Sequence, residues 1–339
     1  MASTVRPTGA RVAKPGVLPG ALLAALLALG CEGDPAEVID EPPCRTALVG
    51  YPESGQTGSL RHVHDPEIVQ GADAYYVFST NDGVPIRRST DLLRWEFLGR
   101  VFPGGYPSWA PSEVPGVEGV WAPGMGHFDG EYHLYYSLST FGSPRSVIGL
   151  TTSPTLDPQD PAYGWQDQGK VVESYDWDPA NAIDPAVVED PDGRVWLAWG
   201  SWGGGIVMRE LDPATGLLST TNDTLYTLAR RPVERAIEGP YIVRRGGYYY
   251  LFVGFDLCCR GVESTYSVRV GRAEQVTGPY LDRDGVPMME GGGTLVLESY
   301  GPIRGPGHAS VLEQAGGHLL VHHYYDANDD GVPHLQIRP

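Results

Sequence analysis

Sustained helical periodicity is what this chain most plainly lacks. After residue 60 no stretch keeps apolar residues at three- and four-residue spacing over a useful length, and short β-rich runs bounded by Gly, Pro, Asp and Asn take its place. Cations are scarce as well: 24 Lys and Arg against 42 Asp and Glu leave a net charge of −18. That balance repels a phosphate backbone and excludes nucleic acid as a partner. The four cysteines, Cys31, Cys44, Cys258 and Cys259, show no zinc-ligand spacing. The vicinal pair reads as a disulfide or as two buried thiols, in either case with a local structural role. No apolar run is long enough to span a bilayer as a mature helix, and the best of them covers only residues 21–29.

That run follows Arg6, Arg11 and Lys14 and ends Leu27-Ala28-Leu29-Gly30-Cys31, so residues 1–31 read as a signal peptide. The ending resembles a bacterial lipoprotein signal with Cys31 as the acylated residue, although Ala28 stands where a larger aliphatic is usual. Residues 32–58 then form a polar tether, and simple cleavage with secretion is the alternative. The only membrane association expected is through that lipid.

What the chain has in quantity is a repeat. Five openings recur: His64-Asp65-Pro66-Glu67-Ile68-Val69, Trp121-Ala122-Pro123, Ile183-Asp184-Pro185-Ala186-Val187-Val188, Glu238-Gly239-Pro240-Tyr241-Ile242-Val243 and Gly307-His308-Ala309-Ser310-Val311-Leu312. Each is followed by a glycine turn and a second apolar strand, such as Gly130-Glu131-Tyr132-His133-Leu134-Tyr135-Tyr136-Ser137. An all-β unit of this kind cannot bury its own faces, whereas a closed ring of them can, so residues 59–339 are expected to form an all-β, five-bladed β-propeller. Eight Trp and 19 Tyr suit blade packing and also stacking on sugar faces.

Aligning the openings puts Asp65, Ala122, Asp184, Gly239 and His308 in register, with Glu238 one position before the glycine. In a propeller those positions lie nearest the axis, so two aspartates, a glutamate and a histidine are expected to meet in one central depression. Asp-Pro and Gly-Pro are also ordinary turn chemistry at a strand entrance. Four ionisable residues in one register are harder to explain that way.

The ordered set His64-Asp65-Pro66, Trp121-Ala122-Pro123, Tyr135 to Ser143, Asn181-Ala182-Ile183-Asp184-Pro185, Gly200-Ser201-Trp202-Gly203-Gly204, Ile237-Glu238-Gly239-Pro240 and Gly305-Pro306-Gly307-His308 resembles glycoside hydrolase family 43. The stretch from Phe255 to Tyr266, cysteine pair included, resembles its arabinanase branch. The resemblance implies an inverting hydrolase of internal α-1,5 bonds in arabinan or arabino-oligosaccharides, acting as a monomer. It makes Asp65 the general base, Glu238 the general acid and Asp184 the carboxylate that tunes the acid and orients the sugar. Those residue types suit inversion independently: one ionised carboxylate activates water while a protonated one donates to the leaving oxygen. An anion near Glu238 would keep it protonated, and Glu67 or Asp256 is the second choice for that role. Asp184 has a structural alternative, capping the turn after Asn181.

The resemblance also places His308 beside a calcium ion coordinated largely by water. The residues alone read His308 as a hydrogen-bonded core histidine, because calcium prefers oxygen ligands. His318, His322 and His323 read as blade residues without a ligand role. Substrate contacts are expected from Trp121, Phe141, Gly142, Ser143, Asn181, Ser201 and Trp202, with inter-blade packing as the alternative for several. Gly124 stands where the family usually has an acidic residue, which bears on subsite polarity. The chain stops in a strand of the fifth unit, which predicts an incomplete last blade with an unpaired edge. An exo-acting arabinofuranosidase or other family 43 glycosidase, and a non-catalytic glycan-binding propeller, remain the competing functions.

Overall fold

The computed structural model describes residues 55–339, so the signal peptide, Cys31, Cys44 and most of the tether lie outside the described residues. Five antiparallel sheets follow one another along the chain. The first has strands Glu67–Gln70, Tyr75–Phe78, Pro85–Ser89 and Arg94–Arg100; the second Trp121–Phe128, Glu131–Leu138, Ser146–Ser153 and Gln166–Ser174. In the third, Ala186–Glu189, Val195–Trp199 and Ile206–Asp212 are joined by Leu217–Leu218 and Tyr226–Ala229, which both pair with Ile206–Asp212. The fourth comprises Ile237–Arg245, Tyr248–Phe255, Ser267–Ala273 and Thr294–Leu297, and the fifth Ile303–Gln314, Gly317–Asp326 and Val332–Arg338. The one α-helix among the described residues is the four-residue turn Ala110–Glu113, and no described helix is long and apolar enough to cross a membrane.

The apolar residues explain why the sheets form a ring. Among the described residues there are five clusters of buried side chains, and each lies between two neighbouring blades. Tyr76, Phe78, Leu134 and Tyr136 join blades one and two; Tyr135, Ile148, Leu197 and Trp199 join two and three. Trp196, Met208, Leu251 and Phe255 join three and four, Val268, Leu297 and Ala309 join four and five, and Ile68, Val77, Leu319 and Val321 join five back to one. Alternating side chains thus bury both faces of each sheet, one on each neighbour. The seam between blades four and five is the smallest, and there the ring of Tyr266 fills the space. A Cβ on Gly307 would lie 1.9 Å from that ring, so the close approach requires glycine. Gly124 answers to the same constraint: a Cβ there would lie 2.0 Å from the Pro185 carbonyl oxygen. Position 124 therefore faces the third blade.

The edge expected to be unpaired is partly covered. Segment 56–63 runs past the outer strand of blade five, where Leu335 N–H donates to the Leu60 carbonyl at 2.9 Å, Val63 N–H donates to the Pro333 carbonyl at 3.3 Å, and Arg61 bridges His334. Thr57–Gly58 of the same segment pairs in parallel with Arg94–Trp95 of blade one. The buried guanidinium of Arg87 donates to the carbonyl oxygens of Ser59, Arg61 and His62 at 2.8, 3.2 and 3.4 Å. A segment that precedes the first blade thus clasps the last one to it, which shields the edge from pairing with another chain.

Candidate active site

The five residues aligned from sequence share one unusual backbone state. Asp65, Ala122, Asp184, Gly239 and His308 have φ of 48°, 36°, 60°, 58° and 47°, in the left-handed region that non-glycine residues rarely occupy. The bend falls at the head of each inner strand, and in blades two, four and five it coincides with a shift of strand register. Its effect is to turn the residue out of the ladder and leave its N–H without a strand partner. A side chain of another blade supplies that partner in four of the five cases. Asp65 N–H donates to His323 Nδ1 at 3.1 Å, Ala122 N–H to Thr80 Oγ1 at 2.7 Å, Asp184 N–H to Ser137 Oγ at 3.0 Å, and Gly239 N–H to Asp184 Oδ2 at 3.0 Å.

Asp65 is buried among imidazoles and a hydroxyl. Its Oδ2 lies 2.7 Å from His64 Nδ1 and accepts Thr80 Oγ1–H at 2.5 Å, while its Oδ1 lies 3.1 Å from His308 Nδ1 and 3.6 Å from His323 Nδ1. Burial pushes this carboxyl up, but His64 and His308 outweigh it and hold Asp65 well below the usual range. Asp184 and Glu238 fare differently. Burial raises Asp184 to about 8, with His308 opposing and Glu238 and Asp65 adding to the rise. Burial also raises Glu238, against the Ser201 hydrogen bond and the His308 charge and with a push from Asp65. The site thus holds one firmly ionised carboxylate facing a pair that keeps a proton near neutrality. Burial alone would lower His308, but Asp65 first and then Asp184 and Glu238 raise it to about 9.

The sequence-predicted residues separate into two groups. Asp65, Asp184, Glu238 and His308 converge as expected, and Asp184 directs its carboxylate across to blade four, not to the turn after Asn181. Ser201, expected to touch substrate, donates its hydroxyl to Glu238 Oε2 at 2.7 Å and so serves the carboxylate. Asn181 Oδ1 lies 3.2 Å from Ser174 Oγ, which leaves its amide N–H groups as donors. Trp121 is half-buried at the head of the second blade's inner strand, and Ser143 closes a turn with its N–H on the Thr140 carbonyl at 3.0 Å. Phe141 is 84% and Trp202 44% exposed, on the connections beside Gly142 and Gly203. An inter-blade packing role is therefore excluded for Phe141.

Four residues were missed. His323 was read as a plain blade residue, yet it is fully buried, accepts the Asp65 N–H and stacks on His64 with ring centroids 4.0 Å apart. Thr80 links the Asp65 carboxylate to the Ala122 N–H, and His64 contacts the carboxylate directly. Tyr266 is buried against the carboxylates, its phenol held well above the ordinary range by burial first and then by Glu238, Asp184 and Asp65. The available signal was the small polar residue closing a second strand, as in Ser137 and Ser79-Thr80. Of the two fallback carboxylates, Asp256 pairs with Arg231 Nη1 at 2.7 Å, whereas Glu67 is buried and pushed up to about 8 by desolvation. A cavity of about 380 Å³ between the turns of blades two and three, lined by Asp129, Glu131, His133 and Thr215, contains none of these carboxylates.

A calcium ion finds limited protein ligation here. His64, Asp65 and His323 bring donor atoms together, but hydrogen bonds within the cluster already engage them. His308 turns Nδ1 to Asp65, leaving Nε2 as the atom it can offer an ion, which must displace the proton that the neighbouring carboxylates favour there. That donor fits only a cation whose remaining ligands are water.

A propeller whose axis gathers an ionised carboxylate and a proton-holding carboxyl pair is a glycoside hydrolase by architecture and by chemistry. The family model for glycosyl hydrolases family 43 matches residues 60–337, and the chain belongs to that family. It is 40% identical over 289 residues to the extracellular exo-α-(1→5)-L-arabinofuranosidase ArbA of Cellvibrio japonicus, covering 81% of this chain and 82% of that protein. It is 39% identical over 281 residues to the extracellular endo-α-(1→5)-L-arabinanase 1 of Bacillus subtilis, covering 81% and 84%. The solved Cellvibrio cellulosa α-L-arabinanase complexed with arabinohexaose superposes with a TM-score of 0.78 at 38% identity, covering 82% of this chain and 92% of that one.

Glu67 supplies a test of these electrostatics that needs no substrate. Its carboxyl titrates at 4.5 in the ordinary state and at about 8 when folded, so the folded protein binds the extra proton. Stability from this group is therefore intact below pH 4.5 and declines as pH rises to about 8, by at most about 1.4 kcal/mol per pH unit. Glu67→Gln is expected to melt with wild type near pH 4 and above it at pH 8. A melting-temperature gap that stays constant across this range would contradict the assignment.

Proposed function

We propose that the protein hydrolyses internal α-1,5-arabinofuranosidic bonds of arabinan with inversion, as a monomer. Asp65 is the general base, Glu238 the general acid, and Asp184 the partner that keeps a proton available to Glu238. The observation that carries this reading is the division of charge at the axis: His64 and His308 hold Asp65 ionised, while burial raises Asp184 and Glu238 so that the pair retains a proton between them. Water deprotonated by Asp65 attacks the anomeric carbon, and Glu238 protonates the departing oxygen from the opposite side. Trp121, Phe141 and Trp202 offer ring faces to furanoses, with Asn181, Gly142 and Ser143 presenting polar groups nearby. A binder needs no such acid and base, which disfavours the non-catalytic reading. The exo reading draws on the likeness to the Cellvibrio japonicus enzyme.

Linear arabinan separates these alternatives: a ladder of oligosaccharides is expected, and release of monosaccharide or dimer alone would establish exo action. Asp65→Asn is expected to lower kcat by about 10²–10⁴ with oligosaccharide binding retained. Glu238→Gln should lose as much on arabinan but be partly spared on an activated aryl glycoside, where the leaving group needs little protonation. Asp184→Asn removes the partner that carries the negative charge in place of Glu238, so the alkaline limb of the kcat profile should move to lower pH. Equal loss on both substrates by the glutamine variant would remove Glu238 from the role of acid.

Both relatives are named as extracellular proteins, which supports export of this chain; the lipid anchor at Cys31 is proposed on the signal sequence alone. Acyl chains contribute about 0.8 kcal/mol per buried CH₂. The full-length protein should enter the detergent phase and Cys31→Ala the aqueous one; a wild type found in the aqueous phase would exclude the anchor.

His308 is proposed to hold a calcium ion through Nε2, the remaining ligands being water. Such an ion would supply positive charge near the carboxylates. Millimolar calcium should raise the melting temperature of wild type and leave His308→Ala unmoved, since only a bound ligand shifts the folded state. Equal shifts in both would rule out this site.

A further inference from the structure

A chain of hydrogen bonds reaches Asp65 from two blades away. Cys258 and Cys259 form a disulfide between adjacent residues on the connection after Tyr248–Phe255, and Cys259 has a left-handed φ of 67°. The N–H groups of Thr265 and Tyr266 close the base of this connection on the Leu257 carbonyl at 2.9 and 3.1 Å, and Arg260 N–H donates to Ser264 Oγ at 3.0 Å. Cys259 N–H then points inward and donates to the Tyr325 hydroxyl at 2.8 Å. That hydroxyl lies 2.7 Å from His64 Nε2, and His64 Nδ1 lies 2.7 Å from Asp65 Oδ2. Tyr325 is 3% exposed, and His64 stacks on the His323 ring with Cys259 Sγ 3.9 Å from its Nε2.

The directions of these bonds follow from the proton inventory. Asp65 is ionised and its Oδ2 can only accept, so His64 Nδ1 carries a proton, while Tyr325, whose oxygen accepts the Cys259 amide N–H, offers its own proton to Nε2. Nε2 is then an acceptor, the ring proton sits on Nδ1, and it donates to Asp65 Oδ2. Thr80 donates to the same oxygen. Oδ2 therefore carries two donors, whereas Oδ1 faces one, His308, and keeps a lone-pair direction open.

We propose that Tyr325 and the Cys258–Cys259 turn are positioning residues for the hydrolytic reaction: they fix His64 as its Nδ1–H tautomer, saturate Oδ2 of Asp65, and leave Oδ1 as the atom that takes the proton from water. In that step the water O–H bond breaks toward Oδ1, its oxygen bonds to the anomeric carbon, and the glycosidic C–O bond breaks as Glu238 gives its proton to the departing oxygen. The inference rests on Asp65 being the base. The disulfide takes no electrons in it. It closes a small ring around the 258–259 peptide and so limits where the Cys259 N–H points.

Selective ¹⁵N-histidine NMR of the full folded chain without substrate tests the tautomer directly. Wild-type His64 should show a protonated Nδ1 and an unprotonated Nε2, and Tyr325→Phe and the double variant Cys258→Ser/Cys259→Ser should lose that preference while still melting cooperatively. On arabinan, each should lower kcat about tenfold with KM within about twofold of wild type, the size expected for one hydrogen bond acting on the transition state. Combining them should cost no more than Tyr325→Phe alone, because both act through His64. A wild-type His64 carrying its proton on Nε2, losses confined to KM, or additive losses in kcat would each overturn the proposal. The tautomer is read without substrate, so a wild type that fails to cleave arabinan would defeat the arabinanase reading while the NMR result stands separately.

Discussion

The left-handed bend at the head of each inner strand is the constraint from which the rest of this structure follows. It costs backbone energy at four non-glycine residues and leaves an amide without a strand partner. Both consequences are used. The turned side chain reaches the axis, and the exposed amide needs a side-chain acceptor that must come from another blade. His323, Thr80, Ser137 and Asp184 are those acceptors, so the hydrogen bonds that satisfy the bends also hold the blades in relative position around the site.

Charge at the axis is arranged against the character of the whole chain. A protein with a net charge of −18 places several buried carboxyls close together, which is tolerable only if most keep their protons. Asp65 is the exception because it alone is surrounded by imidazoles and a hydroxyl. Asp184, Glu238 and Glu67 feel His308 as well, and Glu238 accepts the Ser201 hydroxyl, but for these three burial outweighs such help and raises them. The division between base and acid is therefore a division of neighbours, with the same kind of side chain in both roles.

The base stands at the seam where the ring closes. Blade one contributes Asp65, His64 and Thr80; blade five contributes His308, His323 and Tyr325. The clasp of segment 56–63, pinned by the buried Arg87 guanidinium, holds those two blades together from outside, and the apolar cluster around Val77 and Val321 does so from within. Loosening that seam would disturb the base before it disturbed Glu238, which sits on blade four against Ser201 of blade three.

The repeat of opening, glycine turn and second strand determined the five blades, and its internal alignment by itself placed Asp65, Asp184, Glu238 and His308 together. Both rest on local chemistry: strand periodicity and turn residues are written in neighbouring positions. The partners of those residues were not legible. Ser201 looked like a substrate contact and serves Glu238; His323 looked like packing and receives the Asp65 amide 258 positions away in sequence. The cysteine pair was consistent with either a disulfide or thiols until the turn around it brought Cys259 onto Tyr325. The covered edge of blade five depended on a segment that precedes blade one. Contacts of this kind join residues that share no period and no spacing, and only closure of the ring brings them within hydrogen-bond reach.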